Sequence, residues 1–358
     1  MSPDQAAATG PLDTEAYRCS MMRSAMANAS TARIRSVPNP WVGAVLVDEY
    51  GQVYNGATHR PGGMHAEREA LDAAGDAARG ATLFTTLEPC NHTGRTSPCT
   101  EAIIEAGVAR VVVGIEDPDI NVRGQGIAAL RAAGLDVVSG VEADAVATQL
   151  APYITHRSSG RPHVVLKLAM TLDGFIAAPD GTSQWITGAE ARRDVHRLRA
   201  ESDVVIVGSG TVKADNPSLT VRDFTPADLD DELPPLDPWR IVLGVTAATM
   251  QADAKTAPFE SWDGNLEDLL DDLGERGVLQ VMVEGGAAVA GSFHRSGLVD
   301  EYWLYMAPAI MGGADGRNVF DGEGAPTMSS IQRGSFVGVE RLGDDLRLIY
   351  RKSRANNE

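Results

Sequence analysis

The chain has 358 residues, more than one ordinary domain holds, which predicts two domains that each bury their own core. Hydrophobic residues make up 43% and charged residues 22% of the chain, as in typical soluble globular proteins. The 49 acidic and 31 basic residues give a formal net charge of -18, and no basic run is present, which disfavours a long nucleic acid as partner and favours a small molecule.

The cysteines and the start of the chain indicate the cellular compartment. Three cysteines cannot build a disulfide framework, which favours a reducing environment. The first fifteen residues have neither a basic start nor an apolar stretch, so we expect no secretory signal. No apolar run approaches the roughly 18 residues needed to cross a bilayer. The sequence therefore predicts a cytoplasmic protein with no membrane partner.

The first half alternates Ala-rich helical stretches with apolar, β-branched runs. A helix is predicted at 15–29, with the Pro-Asn-Pro sequence at 38–40 as its stop signal. Strands are predicted at 42–47, 81–87, 110–115 and 136–138, and further helices from about 65, from about 100 and at 127–134. Nearly continuous apolar strands with helices between them indicate an α/β sheet that is covered on both faces.

The polar stretch 154–162 contains turn residues and precedes a new strand, so we place the domain boundary there. Beyond it, strands are predicted at 163–170, 203–208, 240–245, 279–286, 301–310 and 345–352, with helices at 189–201 and after 286. The acidic, Pro-rich segment 222–238 is predicted to be a surface loop. The predicted domains span residues 1–156 and 161–354.

His65, Cys90 and Cys99 are candidate zinc ligands, and Glu67 lies two residues after the histidine. Three protein ligands leave the fourth tetrahedral position of a zinc ion open to water, as in catalytic sites. Zinc lowers the pKa of such a water from about 16 towards about 7. Glu67 is placed to carry a proton beside that water without being a ligand. The pattern predicts a catalytic zinc site.

The predicted positions of these residues agree with that interpretation. His65 and Cys99 each precede a predicted helix, and a helix start favours anions and lowers the pKa of a thiol. Cys90 follows a predicted strand. The ends of strands and the starts of helices meet at the edge of an α/β sheet where sites are built. Single His and Cys residues are more often structural, and Cys19, alone on its helix, is interpreted so.

The eight residues between Cys90 and Cys99, NHTGRTSP, distinguish this motif from the short Cys-x-x-Cys of other nucleobase deaminases. Together, PNPWVGAVLV (38–47), HAE (65–67) and LEPCNHTGRTSPC (87–99) resemble the deaminase half of the bifunctional deaminase/reductase family of riboflavin biosynthesis, called RibD or RibG. KLAMTLDGFIA (167–177), SQWITG (183–188), the stretch 199–222 and VEGGA (283–287) resemble its reductase half. The resemblance covers nearly the whole chain in the family's domain order.

The resemblance implies a cytidine-deaminase-like α/β/α sandwich followed by a dihydrofolate-reductase-like α/β domain. The first domain would use zinc to deaminate 2,5-diamino-6-ribosylamino-4(3H)-pyrimidinone 5′-phosphate, and the second would reduce the ribosyl group to ribityl with NADPH. The residues implied to line the deaminase pocket are Asn39, His59, His92 and Arg95. An imidazole or a guanidinium suits a phosphate or the polar edges of a ring. The alternative is that all four are ordinary turn and loop residues.

In the second half no G-x-G-x-x-G follows a strand, so the common dinucleotide fingerprint is absent from the sequence. The turns GSGT (208–211) and EGGA (284–287) each end an apolar run, and their glycines would let a pyrophosphate approach the backbone. By resemblance, the cofactor contacts are Ala169, Trp185, Thr211, Asp215, Gly285, Gly286 and Ala287, and the substrate contacts are Lys167, Ser183, Arg199, Leu219, Arg222 and Glu284. The guanidinium forks of Arg199 and Arg222 match a phosphate.

Three positions depart from the family pattern. Gly244 and Val245 replace the usual Asp-Ser after a strand, which removes a hydroxyl expected near the adenosine side of the cofactor. Ser97 replaces a common proline.

Two other functions are weighed: a deaminase whose second domain only binds or scaffolds, and a nucleic-acid-editing deaminase, which the acidic charge disfavours. Family members commonly assemble through the reductase domain, so a homo-oligomer, dimer or tetramer, is expected.

Overall fold

The computed structural model describes residues 14–92, 97–120, 122–225, 237–244 and 255–353. The described residues divide into two compact units, one ending at Ser158 and the other beginning at Ser159. Among the described helices, none combines the length and apolar character needed to cross a membrane.

The first unit is a five-stranded mixed sheet with six helices. Its strands are β1 (Gly43–Val47), β2 (Val53–Ala57), β3 (Thr82–Leu87), β4 (Arg110–Ile115) and β5 (Asp136–Ser139). Its helices are α1 (Glu15–Ala32), α2 (Ala66–Ala74), α3 (Cys99–Glu105), α4 (Gln125–Ala132), α5 (Ala143–Gln149) and α6 (Ala151–Ser159). The strand order is β2-β1-β3-β4-β5, and β1 is antiparallel to both of its neighbours, whereas β3, β4 and β5 are parallel.

Helices cover both faces of this sheet. A Cβ atom at Gly43 would lie 1.9 Å from the carbonyl oxygen of Ala25 on α1, and one at Gly56 would lie 2.0 Å from that of Ala66 on α2. Gly56 pairs with Ala44, the neighbour of Gly43, so the two glycines face opposite sides. Strands β1, β3 and β4 are consequently buried on both faces, which explains their continuous apolar sequences.

The second unit contains an eight-stranded sheet. The described strands of this unit, which include two outside the large sheet, are in chain order β6 (His163–Thr171), β7 (Phe175–Ala177), β8 (Val204–Gly208), β9 (Trp239–Leu243), β10 (Glu260–Trp262), β11 (Gln280–Val283), β12 (Glu301–Ala307), β13 (Arg317–Asn318), β14 (Gly334–Leu342) and β15 (Asp345–Lys352). Its helices are α7 (Ala189–Ala200), α8 (Ser209–Asp215), α9 (Leu266–Glu275) and α10 (Ala287–Arg295). The order is β10-β9-β8-β11-β6-β12-β15-β14, with β7 and β13 paired separately.

Two hydrophobic cores lie on opposite faces of the large sheet. Val164, Leu166 and Leu168 belong to one core, and Val165 belongs to the other. This alternation follows from the two-residue period of a strand. In the spatial order of the sheet, the first six strands (β10, β9, β8, β11, β6 and β12) are parallel to their neighbours. Strand β15 pairs antiparallel with β12, and β14 pairs antiparallel with β15. The carboxyl ends of β8 and β11 therefore lie side by side.

The predicted strands and helices are present, with bounds that differ by a few residues. The polar stretch 154–162, where the domain boundary was predicted, contains the end of a helix that was not predicted, because α6 runs from Ala151 to Ser159 and buries Pro152 and Tyr153. The two compact units divide within this stretch, after Ser158. Strands β2, β7, β10, β13 and β14 and helices α5, α8 and α9 have no counterpart among the predicted elements. Most of the predicted loop 222–238, and Val245 at the end of the predicted strand 240–245, lie outside the described residues.

Candidate active sites

The three candidate zinc ligands converge in the first unit. His65 is the N-cap of α2, Cys90 follows β3, and Cys99 is the first residue of α3. The Nδ1 atom of His65 lies 3.6 Å from Sγ of Cys90 and 3.3 Å from Sγ of Cys99. All three donor atoms lie within 4.8 Å of one another. One imidazole and two thiols at these separations fit the donor set and the size of a zinc site with an open fourth position.

The surroundings of the cluster favour a charged sulfur at Cys90, whereas the neighbouring Cys90 sulfur and burial raise the pKa of the Cys99 thiol. The backbone N–H of Cys99 donates to Sγ of Cys90 at 3.4 Å. Hydrogen bonds with the Cys99 thiol and with the His65 ring stabilise the Cys90 thiolate and lower the pKa of the Cys90 thiol, although partial burial opposes this. A thiolate is the form that binds zinc.

Glu67 is the buried acid beside this cluster. It lies in the first turn of α2 and is 4% exposed. Burial raises the pKa of its carboxyl to about 7, even though the nearby His65 opposes that rise. A carboxyl group in this position is within reach of the cluster without belonging to it, as a proton carrier requires.

The cluster and Glu67 open onto a cavity of about 600 Å³. Of the four predicted pocket residues, Asn39 and His92 line it. The described lining of this cavity does not include His59, whose Nε2 instead pairs with Oε1 of Glu69 at 3.1 Å. Arg95 lies outside the described residues. Ser97, at the position of the family's proline, accepts a hydrogen bond from Arg68 at 2.7 Å.

The cavity is also lined by residues that the sequence analysis missed, namely Glu88, Asp117, Asp119, Val122, Tyr153 and Arg157. The Tyr153 hydroxyl donates to both carboxylate oxygens of Asp117, at 3.3 and 3.4 Å. Burial raises the pKa of Asp117. Asp117 follows β4, the parallel neighbour of the strand before Cys90, and that position at a shared sheet edge was the available signal. Tyr153 had no such signal, because no element was predicted between the strand 136–138 and the polar stretch 154–162.

In the second unit, Lys167, Arg199 and Glu284 form a charged group with little exposure. The Nε and Nη2 atoms of Arg199 donate to the two carboxylate oxygens of Glu284 at 2.9 and 3.0 Å, and Nη1 donates to the carbonyl of Thr220 at 2.6 Å. Burial lowers the pKa of Lys167, an effect that Glu284 opposes. The fork of Arg199, which the sequence suggested for a phosphate, is thus occupied by Glu284.

The two glycine-containing turns lie next to each other, because β8 and β11 are parallel neighbours. The N–H of Gly286 donates to Oγ1 of Thr211 at 3.2 Å, which joins EGGA to GSGT. Gly286 is the N-cap of α10 and offers no side chain to cap the helix, so its first turn presents backbone N–H donors. Such a glycine-rich helix start fits a cofactor phosphate. Gly244, at the end of β9, accepts a bond from Ser209 Oγ at 3.5 Å.

The remaining predicted reductase contacts fall into two groups. Trp185 and Arg222 line a cavity of about 630 Å³, together with Arg192, Arg193 and His196, which the sequence analysis missed. Ala287 lines a different cavity of about 580 Å³. Ser183, Asp215, Leu219, Ala169 and Gly285 are not among the described lining residues of either cavity. Oγ of Ser183 donates to Oδ1 of Asp215 at 3.5 Å, Leu219 is 3% exposed, Ala169 packs against a core on β6, and Gly285 precedes α10.

Comparison with known proteins gives one family for both units. Residues 16–115 match the cytidine and deoxycytidylate deaminase zinc-binding region, and residues 162–348 match the RibD C-terminal domain. The riboflavin biosynthesis protein RibD of Mycobacterium tuberculosis is 41% identical over 318 residues, which cover 87% of this chain and 90% of that protein. RibD of Escherichia coli is 35% identical over 358 residues, covering 91% of this chain and 96% of that protein.

Solved structures agree along the same length. RibD of Acinetobacter baumannii has a TM-score of 0.85 and 33% identity, covering 95% of this chain and 100% of that chain. A Thermotoga maritima protein has a TM-score of 0.82 and 34% identity, covering 95% of this chain and 99% of that chain. The expected fold class, a cytidine-deaminase-like domain followed by a RibD-type reductase domain, is confirmed. The chain belongs to the RibD family and is a bifunctional enzyme of riboflavin biosynthesis, with a zinc-binding deaminase domain and an NADPH-type pyrimidine reductase domain.

Proposed function

We propose that this chain carries out two successive reactions on one pyrimidine. Water first replaces the amino group at C2 of 2,5-diamino-6-ribosylamino-4(3H)-pyrimidinone 5′-phosphate, so that ammonia leaves and a carbonyl forms. NADPH then reduces the ribosyl group to ribityl, which gives 5-amino-6-ribitylamino-uracil 5′-phosphate. The similar Thermotoga maritima protein, described as a diaminohydroxyphosphoribosylaminopyrimidine deaminase/5-amino-6-(5-phosphoribosylamino)uracil reductase, supports this substrate.

In the deaminase domain, His65, Cys90 and Cys99 hold one zinc ion. When bound, zinc supplies the Lewis acidity that makes water a nucleophile near neutral pH. Glu67 carries a proton on its carboxylate, first to the ring nitrogen and then to the leaving amine. Asn39 and His92 contact the polar edges of the ring, and Arg95 is a candidate for the phosphate. His59, whose Nε2 lies 3.1 Å from Oε1 of Glu69, is the fourth proposed pocket residue.

In the reductase domain, Lys167 and Glu284 present a cation and a carboxylate to the substrate, and Arg199 orients Glu284 through its two hydrogen bonds. The remaining proposed substrate contacts are Ser183, Leu219 and Arg222. Arg222 is the guanidinium proposed for the phosphate, because it is exposed and lines a cavity beside further arginines. The proposed contacts to NADPH are Ala169, Trp185, Thr211, Asp215, Gly285, Gly286 and Ala287, with the helix start at Ala287 suited to its pyrophosphate.

The observation that carries the proposal is the cluster of His65, Cys90 and Cys99, with the buried Glu67 beside it in a cavity large enough for a small molecule. A coupled assay with the diamino substrate and NADPH tests both reactions. Glu67→Ala should lower ammonia release by about 10²- to 10⁴-fold, because a positioned proton carrier contributes that much. Lys167→Ala should retain ammonia release and lose NADPH oxidation on supplied deaminated product.

Controls separate metal binding from catalysis. Metal analysis should find one zinc per wild-type chain, none in Cys90→Ser, and an unchanged amount in Glu67→Ala. NADPH oxidation that is absent in the wild type would favour a second domain that only binds or scaffolds. Deamination of an oligonucleotide, with none of the free pyrimidine phosphate, would favour the nucleic-acid-editing alternative.

The proposed partners and location follow from the same function. A free pyrimidine phosphate and NADPH are the only ligands required besides zinc, so we propose a cytoplasmic enzyme that needs neither a nucleic acid nor a membrane. We also propose assembly of two copies through β14. This strand is at the edge of the large sheet and exposes Phe336, Val337 and Val339 by 62%, 42% and 65%. Exposed apolar edge strands readily pair with another chain.

A further inference from the structure

Glu88 is a buried acid of the deaminase domain that the proposed reaction does not use. It is 3% exposed and lies between the end of β3 and Cys90. It also belongs to the wall of the cavity that contains Glu67. Its position therefore resembles that of a second proton carrier, and its hydrogen bonds decide whether it can act as one.

All of the acceptor positions of the Glu88 carboxylate are filled by backbone N–H groups. Oε1 accepts from Gly126 at 2.8 Å and from Ile127 at 3.0 Å. Oε2 accepts from Gly124 at 2.9 Å and from Asp117 at 3.1 Å. An ionised carboxylate offers about four lone-pair positions. None is left to bind substrate or to pass a proton, so Glu88 differs in kind from Glu67.

The four donors belong to one stretch, 117–127, which leads from β4 into α4. Gly124 is the N-cap of α4, and Gly126 and Ile127 lie in its first turn, where N–H groups have no partner within the helix. A carboxylate is well suited to this positive helix end. The same stretch supplies Asp117, Asp119 and Val122 to the cavity wall. Glu88 thus fixes the backbone that carries these three lining residues.

A second, independent contact brings α4 close to Glu88 and Pro89. A Cβ atom at Gly126 would lie 2.0 Å from the carbonyl oxygen of Pro89, the residue between Glu88 and Cys90. Helix α4 therefore packs backbone against backbone on the segment that leads to Cys90. A side chain at position 126 would push the two apart.

We propose that Glu88 is a positioning residue of the deaminase reaction. Its carboxylate holds stretch 117–127 at a fixed place relative to His65, Cys90 and Cys99, and so sets the width of the substrate cavity. The proposal rests on the deaminase function proposed above. It assigns Glu88 an effect on substrate binding and none on zinc binding or on the reductase reaction.

Glu88→Gln tests this directly, because the amide keeps the shape of the side chain but turns two acceptor positions into donors that face N–H groups. Hydrogen–deuterium exchange of the amides at 117, 124, 126 and 127 should speed up at least tenfold. The KM for deamination should rise about 10- to 100-fold, as a displacement of the wall by about 1 Å implies. Zinc content and reduction of supplied deaminated product should stay at wild-type values.

Three further variants sharpen the result. Glu105→Gln makes the same chemical change at an exposed position of α3 and should leave all four measurements unchanged. Glu88→Asp keeps the charge and should restore part of the KM. Gly126→Ala displaces α4 with Glu88 intact and should raise KM in the same way, which decides the matter if Glu88→Gln does not fold.

Several outcomes overturn the proposal. Unchanged amide exchange in Glu88→Gln means that the carboxylate does not hold the stretch. A lower kcat at unchanged KM assigns Glu88 to catalysis, and a loss of zinc assigns it to the metal site. If the wild-type chain does not deaminate the pyrimidine, the proposed function is wrong, and the exchange measurement still decides whether Glu88 holds stretch 117–127.

Discussion

Glu284 is a little-exposed carboxylate of the reductase domain that forms an ion pair with Arg199 and also feels the positive charge of Lys167. Burial alone would raise the pKa of Glu284, but Arg199 and Lys167 outweigh burial and lower it. A buried ion pair contributes little net stability compared with apolar residues, whereas removing one partner leaves a buried charge unpaired. The arrangement therefore keeps the Glu284 carboxylate ionised and fixed in position. It also makes the stability of the fold sensitive to the substitution of either partner.

Glu284→Gln should lower the unfolding free energy by about 3 to 5 kcal/mol, because two cations then lose their shared counter-charge. Urea unfolding followed by tryptophan fluorescence measures this, since four of the five tryptophans (185, 239, 262 and 303) belong to the second unit. The matched control is Glu260→Gln, which breaks an exposed pair with Arg276 and should cost at most about 1 kcal/mol. Equal losses in the two variants would contradict the prediction.

The ligand set could be predicted from the sequence, but its supporting contacts could not. His65, Glu67, Cys90 and Cys99 were recognisable because zinc chemistry restricts both residue type and spacing. Glu88 lies in the same motif, but its role depends on backbone N–H donors that are 29 to 39 positions away in the sequence. No sequence pattern predicts that these donors bind its carboxylate. The place of His59 in the pocket stays a prediction, and its nearness to Glu69, at 3.1 Å, had no signal in the sequence.

At the level of secondary structure elements, Glu301 connects three neighbouring strands. It lies on β12 and pairs with Arg351 on β15, and its Oε1 lies 3.8 Å from Nε2 of His163 on β6. Burial opposes the charge on Glu301, but His163, Arg351 and the indole of Trp303 outweigh burial and hold the pKa at about 2. The carboxylate is therefore an ionic contact across the middle of the large sheet.

The depressed pKa of Glu301 predicts how stability depends on pH. Its folded pKa of about 2 is below its ordinary value of 4.5, so its contribution is complete above about pH 5 and is lost as the pH falls from there towards 2. The contribution amounts to at most about 3 kcal/mol, from 1.36 kcal/mol per pKa unit. Urea unfolding of the wild type between pH 7 and pH 2 should show this loss, and Glu301→Gln should reduce the slope. Identical slopes would contradict the assignment.

Elements with a strong internal pattern could be predicted, and those defined by their neighbours could not. The strands β3, β4 and β8 consist mainly of apolar or β-branched residues, because both of their faces are covered. Helix α6 is polar along most of its length, and the burial of Tyr153 against the cavity is what makes it part of the domain. Strand β14 has mostly exposed residues and is defined by its pairing with β15.

At the level of the whole molecule, each reaction has its own residues in its own unit. The zinc cluster and its cavity come from the described residues up to Arg157, and the reductase contacts come from Lys167 onwards. The family and its two activities could be read from the sequence, because motifs in both halves are specific. The state of assembly could not, because it depends on which surfaces remain exposed after folding.

Val339→Lys tests the proposed assembly through β14. A lysine on an exposed edge strand opposes pairing with a second copy, because it brings two unpaired charges together. Size-exclusion chromatography with light scattering should show a dimer or tetramer for the wild type and a smaller species for the variant. Tyr50→Lys, at an 82% exposed position of the first unit, is the control and should not change the mass. A monomeric wild type would contradict the proposal.

Helix α6 has a consequence for how this gene could be divided into separately working parts. Its residue Tyr153 holds Asp117 at the cavity, and the second unit begins at Ser159, six positions later. An engineer who trims the deaminase at residue 150, where the compact alternation of strands and helices ends, would remove this support. The usable junction is therefore confined to a few residues after the helix, and any fusion or split version of the enzyme has to carry α6 with its N-terminal part.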